Sequence, residues 1–239
     1  MKTIDAKNLE FSKLNDIIRE SGDCVIENAI GQRFIAAGMS YRDIKIKGTP
    51  GNALGAYLNG GSIEVFGNAQ DAVGDTMNAG KIIVHGSIGD AAGYAMRGGQ
   101  IFVETDAGYR AGIHMKAYRD KVPVMVIGGR TGSFLGEYQA GGLIIVLGRH
   151  TDGKPIVGNF PCTGMHGGKL FLRSDCADIA FPKQVTARAA TDDDLKDIES
   201  YVKEYCDLYG ADFDELMSSK YTVVTPDSKN PYKQMYVQN

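Results

Sequence analysis

Pairs of aliphatic residues two positions apart recur along this chain: Ile44/Ile46, Ile63/Val65, Ile82/Val84, Ile101/Val103, Val124/Val126, Ile144/Val146 and Leu170/Leu172. A spacing of two puts both members on one face of a β-strand. Glycines bracket these pairs at a constant interval. Gly55, Gly74, Gly93 and Gly112 lie 19 residues apart, Gly61, Gly80 and Gly99 keep the same step, and so do Gly67 and Gly86, with Thr105 in the third place. After insertions the unit returns as Gly136, Gly142 and Gly148, and less tidily as Gly164 and Gly168; Asp43 to Gly48 fits as an earlier copy. One short strand per repeat cannot close a core alone, whereas stacked copies bury their pairs as columns. The pattern predicts an all-β fold, a parallel β-helix or single-stranded solenoid of about seven coils, some 30 Å long at a strand spacing of about 4.8 Å. Glycine at fixed points allows positive φ or close approach to the neighbouring coil. An antiparallel meander is the alternative, but meanders rarely keep so constant an interval.

The residues between the inward pairs are Lys45, Glu64, Ile83, Phe102, Met125, Ile145 and Phe171. The last five predict an apolar stripe on the outer strand face, larger than a monomer usually leaves bare. Two covers fit it: the chain's own helices, or a partner subunit docked on Ile83, Phe102, Met125, Ile145 and Phe171. Self-association is a further use for such a stripe.

The flanks read as helices. Leu9, Phe11, Leu14, Ile17 and Ile18 have helical spacing before Ser21-Gly22. Thr191 with Asp194 forms an acidic variant of a capping box ahead of the stripe Leu195, Ile198, Val202, Tyr205, Leu208, Tyr209, which Gly210 ends. Ala211 to Ser218 reads as a short helix, Tyr221 to Val224 as a strand, and the remainder as a polar tail. The expected organisation is a helical segment over 1–24, the β-helix over 25–185, and a helical segment with tail over 186–239.

Composition sharpens this picture. Of 31 glycines in 239 residues, 27 fall between Gly48 and Gly168, so the glycine belongs to the repeat. A formal net charge of -3 offers no basic field for nucleic acid and no polybasic membrane arm. With no long apolar run and no signal-peptide start, a soluble cytoplasmic protein is expected. Residues 190–239 carry 5 basic and 11 acidic side chains, usually a solvated helix face and otherwise an electrostatic dock for a basic partner.

Searches for chemistry mostly fail. No G-x-G-x-x-G or G-x-S-x-G is present. Gly148 to Lys154 has P-loop spacing, but Pro155 stands where Ser or Thr must meet the metal, so an inserted surface loop is the better reading. Cys24, Cys162, Cys176 and Cys206 form no iron–sulfur or C-x-x-C arrangement, and Cys162 with His166 and Cys176 is one ligand short of a structural zinc site. Scattered cysteines suit a reducing compartment. His114 with Arg110 and Lys116 marks a candidate contact loop.

The segments Gly48-Thr-Pro-Gly-Asn-Ala-Leu-Gly-Ala-Tyr-Leu, Gly67-Asn-Ala-Gln-Asp-Ala-Val-Gly, Gly141-Gly-Leu-Ile-Ile-Val-Leu-Gly148 and Gly164-Met-His-Gly-Gly168 resemble the GXGXG domain that ends the large subunit of glutamate synthase, and Asn230 to Tyr236 is similar to that domain's tail. The resemblance implies a right-handed parallel β-helix with a mainly structural role. In that family a cysteine glutaminase domain releases ammonia, and a barrel with FMN and an iron–sulfur centre makes glutamate from 2-oxoglutarate. This chain has Lys2 where a class II glutaminase would need cysteine, and it lacks the barrel. It looks like the third domain made as a separate polypeptide. The resemblance therefore implies no catalytic residue, cofactor or metal here, with FMN and iron–sulfur on a partner flavoprotein and a glutamine amidotransferase as second partner. Two departures from the family pattern are the insertion around Ala117 to Val122 and the His150 to Pro161 loop. Similar repeats occur in the glycine-repeat subunit of formylmethanofuran dehydrogenase, a molybdenum or tungsten enzyme, which is the alternative. An independent serine hydrolase is a third, weaker reading.

Overall fold

A computed structural model describes residues 1–227. Nine strands run in parallel, one per coil: β1 (Lys2–Asp5), β2 (Cys24–Ile30), β3 (Arg42–Thr49), β4 (Asn59–Phe66), β5 (Ala79–Val84), β6 (Gln100–Val103), β7 (Val124–Ile127), β8 (Ala140–Val146) and β9 (Gly167–Leu172). They stack in sequence order, giving a solenoid of about eight turns. The register carries the aliphatic pairs into one column, Ile44–Ile63–Ile82–Ile101–Met125–Ile144–Leu170, with a second column two residues on. Both columns belong to the buried interior of the tube. A thinner ladder closes the opposite wall through Ala69, Ile88, Ala107, Thr131 and Val157. Between them Met77, Met96, Met115 and Met165 fill the interior, with Gln139 taking one place in the row. Flexible thioethers suit a tube whose coils differ slightly in width.

The remaining corner explains the glycines. Ala91, Gly93 and Ala95 all have left-handed φ, at 55°, 65° and 50°. Their N–H groups reach Tyr109 O (2.7 Å) and Ile113 O (2.9 Å) on the next coil and Val73 O (2.8 Å) on the previous one. The corner is thus held by backbone hydrogen bonds in both directions, which offset the cost of left-handed residues. At the middle position a Cβ on Gly93 would meet the Met125 methyl inside the tube, the mobile end of a flexible side chain.

Both mouths are plugged. The helix α1 (Phe11–Ser21) lies within the first turn and buries Leu14 and Ile18 over the N-terminal mouth. Its Asn15 amide donates to Phe34 O (2.9 Å) and accepts from the Ala36 N–H (2.9 Å), fixing the helix to the first corner. At the other end Cys176, Ile179, Phe181 and Val185 pack onto the core, and β10 (Val185–Ala189) and β11 (Thr222–Pro226) extend the sheet in the order β9-β11-β10, antiparallel. Between those strands run α2 (Asp192–Lys196), α3 (Glu199–Tyr209) and α4 (Phe213–Met217).

Four expectations need correction. The solenoid begins at Lys2, so 1–24 is not a separate helical segment: β1 pairs with β2 and only α1 interrupts them. Residues from 186 onward likewise continue the sheet, through β10 and β11. The expected single helix after Thr191 breaks into α2 and α3 at Asp197–Ile198, while its capping box forms as read. Finally, Met125 faces the tube interior and Val124 and Val126 face outward, the reverse of the expected orientation. Five extra residues precede β7, so Ile101 pairs with Met125 rather than with a valine, and a one-residue slip swaps every face. The tail motif Asn230 to Tyr236 lies outside the described residues.

Candidate functional site

The apolar stripe on the outer face is spent inside the chain. Phe102, Val126, Ile145 and Phe171 are buried beneath Ile198, Val202, Tyr205 and Leu216 of the C-terminal helices. Met125 is on the other face, and Ile83 is buried at the margin, beside an ion pair between Lys81 and Glu204 of α3. Of the two covers the sequence allowed, the chain's own helices occupy this face. Polar anchors hold them. The Tyr205 hydroxyl donates to Glu104 O (2.8 Å) and accepts from Arg149 Nη1 (3.0 Å). Tyr209 donates to Val84 O at 3.2 Å. Burial raises the pKa of both phenols, and Tyr205's is held back by Arg149. These tyrosines are structural bolts whose protons stay in place.

The N-terminal half of the same sheet face is open and polar. Lys47 pairs with Glu27 at 2.9 Å, and Glu64 bridges Lys45 (3.2 Å) and His85 (3.1 Å). Burial pushes the Glu64 carboxyl up, but hydrogen bonds from His85 and Lys45 bring it below its ordinary value. Each charge there has an internal partner.

The fourteen repeat glycines take several places in the coil. Gly55, Gly74, Gly93, Gly112 and Gly136 occupy the middle of the left-handed corner; Gly61, Gly80, Gly99, Gly142 and Gly168 open the strands; Gly67, Gly148 and Gly164 also have positive φ. Gly86 does not, and serves instead by close approach to Gly67 O. In the last coil the corner place belongs to Cys162, whose N–H reaches Leu135 O at 2.7 Å, and Gly164 sits two residues later.

The soft ligands do not assemble. Cys162 is buried in the tube end, where desolvation pushes its thiol up to about 12, and Cys176 is also raised by burial. The His166 ring nitrogen Nδ1 lies 3.1 Å from Gly164 O. Among the described residues no group of three or more His, Cys, Asp or Glu side chains is placed to hold a metal. The Gly148 to Lys154 loop is a surface turn between coils, from which Ile156 and Val157 return to the core. A cavity of about 900 Å³ lies at the C-terminal end between Phe181, Leu195, Met217 and the outer edge of β10. Of the contact loop, Arg110 pairs with Glu137 (3.1 Å) and His114 stacks on Tyr138 at 5.1 Å, whereas Lys116 is exposed with no ion pair among the described residues. No described helix is long and apolar enough to cross a membrane.

Stacked coils and glycine-rich corners define a parallel β-solenoid protein. The GXGXG motif family matches residues 6–228, and the chain belongs to that family. It is 44% identical over 248 residues to an uncharacterized protein of Methanocaldococcus jannaschii, MJ1350, covering 98% of this chain and 95% of that one. In fold it is similar to a chain in the crystal structure of the formyltransferase/hydrolase complex FhcABCD of Methylorubrum extorquens with methylofuran: TM-score 0.61, 20% identity, covering 92% and 89% of the two chains.

Proposed function

We propose that this chain is a non-catalytic scaffold subunit of a glutamate-synthase-like complex, in which partner subunits carry the glutaminase and the flavin and iron–sulfur chemistry. The observation that carries this reading is the extent of the family match, from residue 6 to residue 228. The buried cysteines and tyrosines support it, since their protons are held rather than offered. A solenoid fixes the distance and angle between whatever docks along its length, which is the physical service a scaffold provides. A second reading is a component like the glycine-repeat subunit of a formylmethanofuran dehydrogenase, favoured by the fold similarity to a chain of the formyltransferase/hydrolase complex.

Native purification of the tagged chain separates them. The first reading expects a flavin-containing, iron–sulfur partner and an amidotransferase, with glutamate formed from glutamine and 2-oxoglutarate by the assembly. The second expects a partner holding molybdenum or tungsten. A partnerless chain rejects both.

A further inference from the structure

The 19-residue step is broken between β6 and β7, where paired residues are 24 apart, as in Ile101 and Met125. The extra residues form a small hairpin. Tyr118 and Lys121 exchange both backbone hydrogen bonds at 3.0 Å, and Arg119 turns the tip at φ 57°. The hairpin is seated on the rod: the Lys121 Cβ would be 3.0 Å from a Cβ on Gly98, and the Ala117 backbone lies over Gly141. It is a fixed projection, and its charges sit at defined places.

Those charges are mostly positive, with Asp120 the one carboxylate among them. Lys116 stacks directly after Arg97, since their N–H groups bond to Met96 O and Met77 O on successive coils. Like charges on neighbouring rungs, about 4.8 Å apart, repel. Lys121 beside Gly98 and Arg119 at the tip bring two more. All four side chains are exposed, and none takes part in an ion pair among the described residues. Elsewhere Lys45, Lys47, Lys81, Arg110, Lys169, Arg173 and Arg188 each face a carboxylate. Other cations without an ion pair among the described residues, such as Arg33, Lys154 and Lys183, lie apart in the sequence. What sets this corner off is that Arg97 and Lys116 sit on adjoining rungs with Lys121 beside Gly98. Amid the cations Tyr118 and Val122 are 47% and 49% exposed, and the Arg119 guanidinium lies 5.2 Å from the Tyr118 ring. Aromatic and arginine side chains around a small apolar centre are the composition of binding hot spots between proteins. The patch is four cations wide, short of the extended basic track that a nucleic-acid backbone needs.

We propose that this corner, formed by Arg97, Lys116, Arg119 and Lys121 around Tyr118 and Val122, docks against a carboxylate-bearing face of a partner polypeptide. The proposal rests on the subunit reading only in requiring that a partner exists.

The test uses the full chain, tagged at its own locus and purified with its assembly. A water-soluble carbodiimide, which joins amines directly to carboxylates, is applied and the links are mapped by mass spectrometry. Lys116 and Lys121 are expected to join Asp or Glu residues of an identified co-purifying subunit. The Kd for that purified subunit is then compared between the wild type and the triple variant Lys116→Glu, Arg119→Glu, Lys121→Glu. Charge reversal is expected to weaken binding about tenfold or more at low salt, with the gap closing as salt rises. Lys47→Glu, on the open sheet face, is the control that leaves Kd unchanged. An unaltered melting midpoint certifies that the triple variant is folded, and Lys116→Gln repeats the measurement with one charge merely deleted. Links that avoid both lysines together with an unchanged Kd overturn the proposal while leaving the subunit reading intact. Links to a second copy of this chain, or nucleic acid released by nuclease, also overturn it. A chain recovered alone overturns the subunit reading and this proposal together.

Discussion

The Tyr205 hydroxyl stands in the space that a side chain on Gly128 would fill. A Cβ at residue 128 would overlap both that hydroxyl and Glu104 O, its acceptor. The missing side chain lets α3 bolt itself to the solenoid backbone. Gly128→Ala is therefore expected to push Tyr205 outward and destabilise the chain by about 1–3 kcal/mol, as overpacking does. Thermal melting reads the loss, and tyrosine accessibility to a quencher reads its location. In a double-mutant cycle, Tyr205→Ala should cost less in the Gly128→Ala background than alone.

The corner glycines differ in what they require, and that difference can be measured. Ala91 and Gly93 share a left-handed φ, but only Gly93 faces the Met125 methyl across the tube. Ala91→Gly relieves a left-handed alanine at the cost of a freer unfolded chain, so the net effect is expected within about 1 kcal/mol of zero and on the stabilising side. Gly93→Ala adds backbone strain and makes the Met125 methyl move aside, and should lose about 1–2 kcal/mol. Urea unfolding of the two variants checks the contrast.

What could be read in the sequence was what repeats. Ile63, Ile82 and Ile101 are phased by glycines, so their column and its parallel stacking followed from spacing. Met125 was not fixed that way, because Val124 to Ile127 are four consecutive apolar residues whose alternation gives no sign of which face is inward. β1 carries no alternating signal because only Ile4 of its four residues is buried, and β10 none because only Val185 is. The outer stripe was legible, but its cover depended on Tyr205 meeting Glu104, 101 residues apart. The sequence placed Lys116 in a contact loop with His114 and Arg110. Only the fold shows that Arg110 is neutralised by Glu137 while Lys116 stacks after Arg97.

The capping box that starts α2 ties stability to acid pH. Asp194 accepts from both Arg188 guanidinium nitrogens (2.6 and 2.9 Å) and from the Thr191 N–H (2.8 Å), and these bonds, the Arg188 pair first, hold its carboxyl well below the usual range. A carboxylate with a lower pKa folded than unfolded stabilises the fold above the unfolded value, about 3.9, and loses that contribution as pH falls through the folded one. Asp194→Asn should cost about 1 kcal/mol at pH 7. The gap from the wild type should hold down to about pH 5 and narrow below about pH 4. Unfolding midpoints measured from pH 7 to pH 2 check both the size and the sign.

Thr131 offers the opposite test, a residue whose replacement should improve the fold. It belongs to the thin ladder between Ala107 and Val157, whose side chains pack inside the tube, and it is itself buried. Among the described residues its hydroxyl meets no hydrogen-bond partner. An orphaned buried hydroxyl carries its desolvation cost without recompense, whereas the methyl beside it contributes apolar packing. Valine keeps that shape and removes the oxygen, so Thr131→Val is expected to stabilise the chain by about 1 kcal/mol and raise Tm by about 2–4 °C. Thr131→Ser keeps the oxygen and deletes the methyl, and should lower stability by about 1 kcal/mol. The order valine above threonine above serine isolates the hydroxyl from the packing. A valine variant that melts below the wild type would mean that the hydroxyl is satisfied in solution, and that the inner wall of the solenoid is less purely apolar than its neighbours Ala107 and Val157 make it.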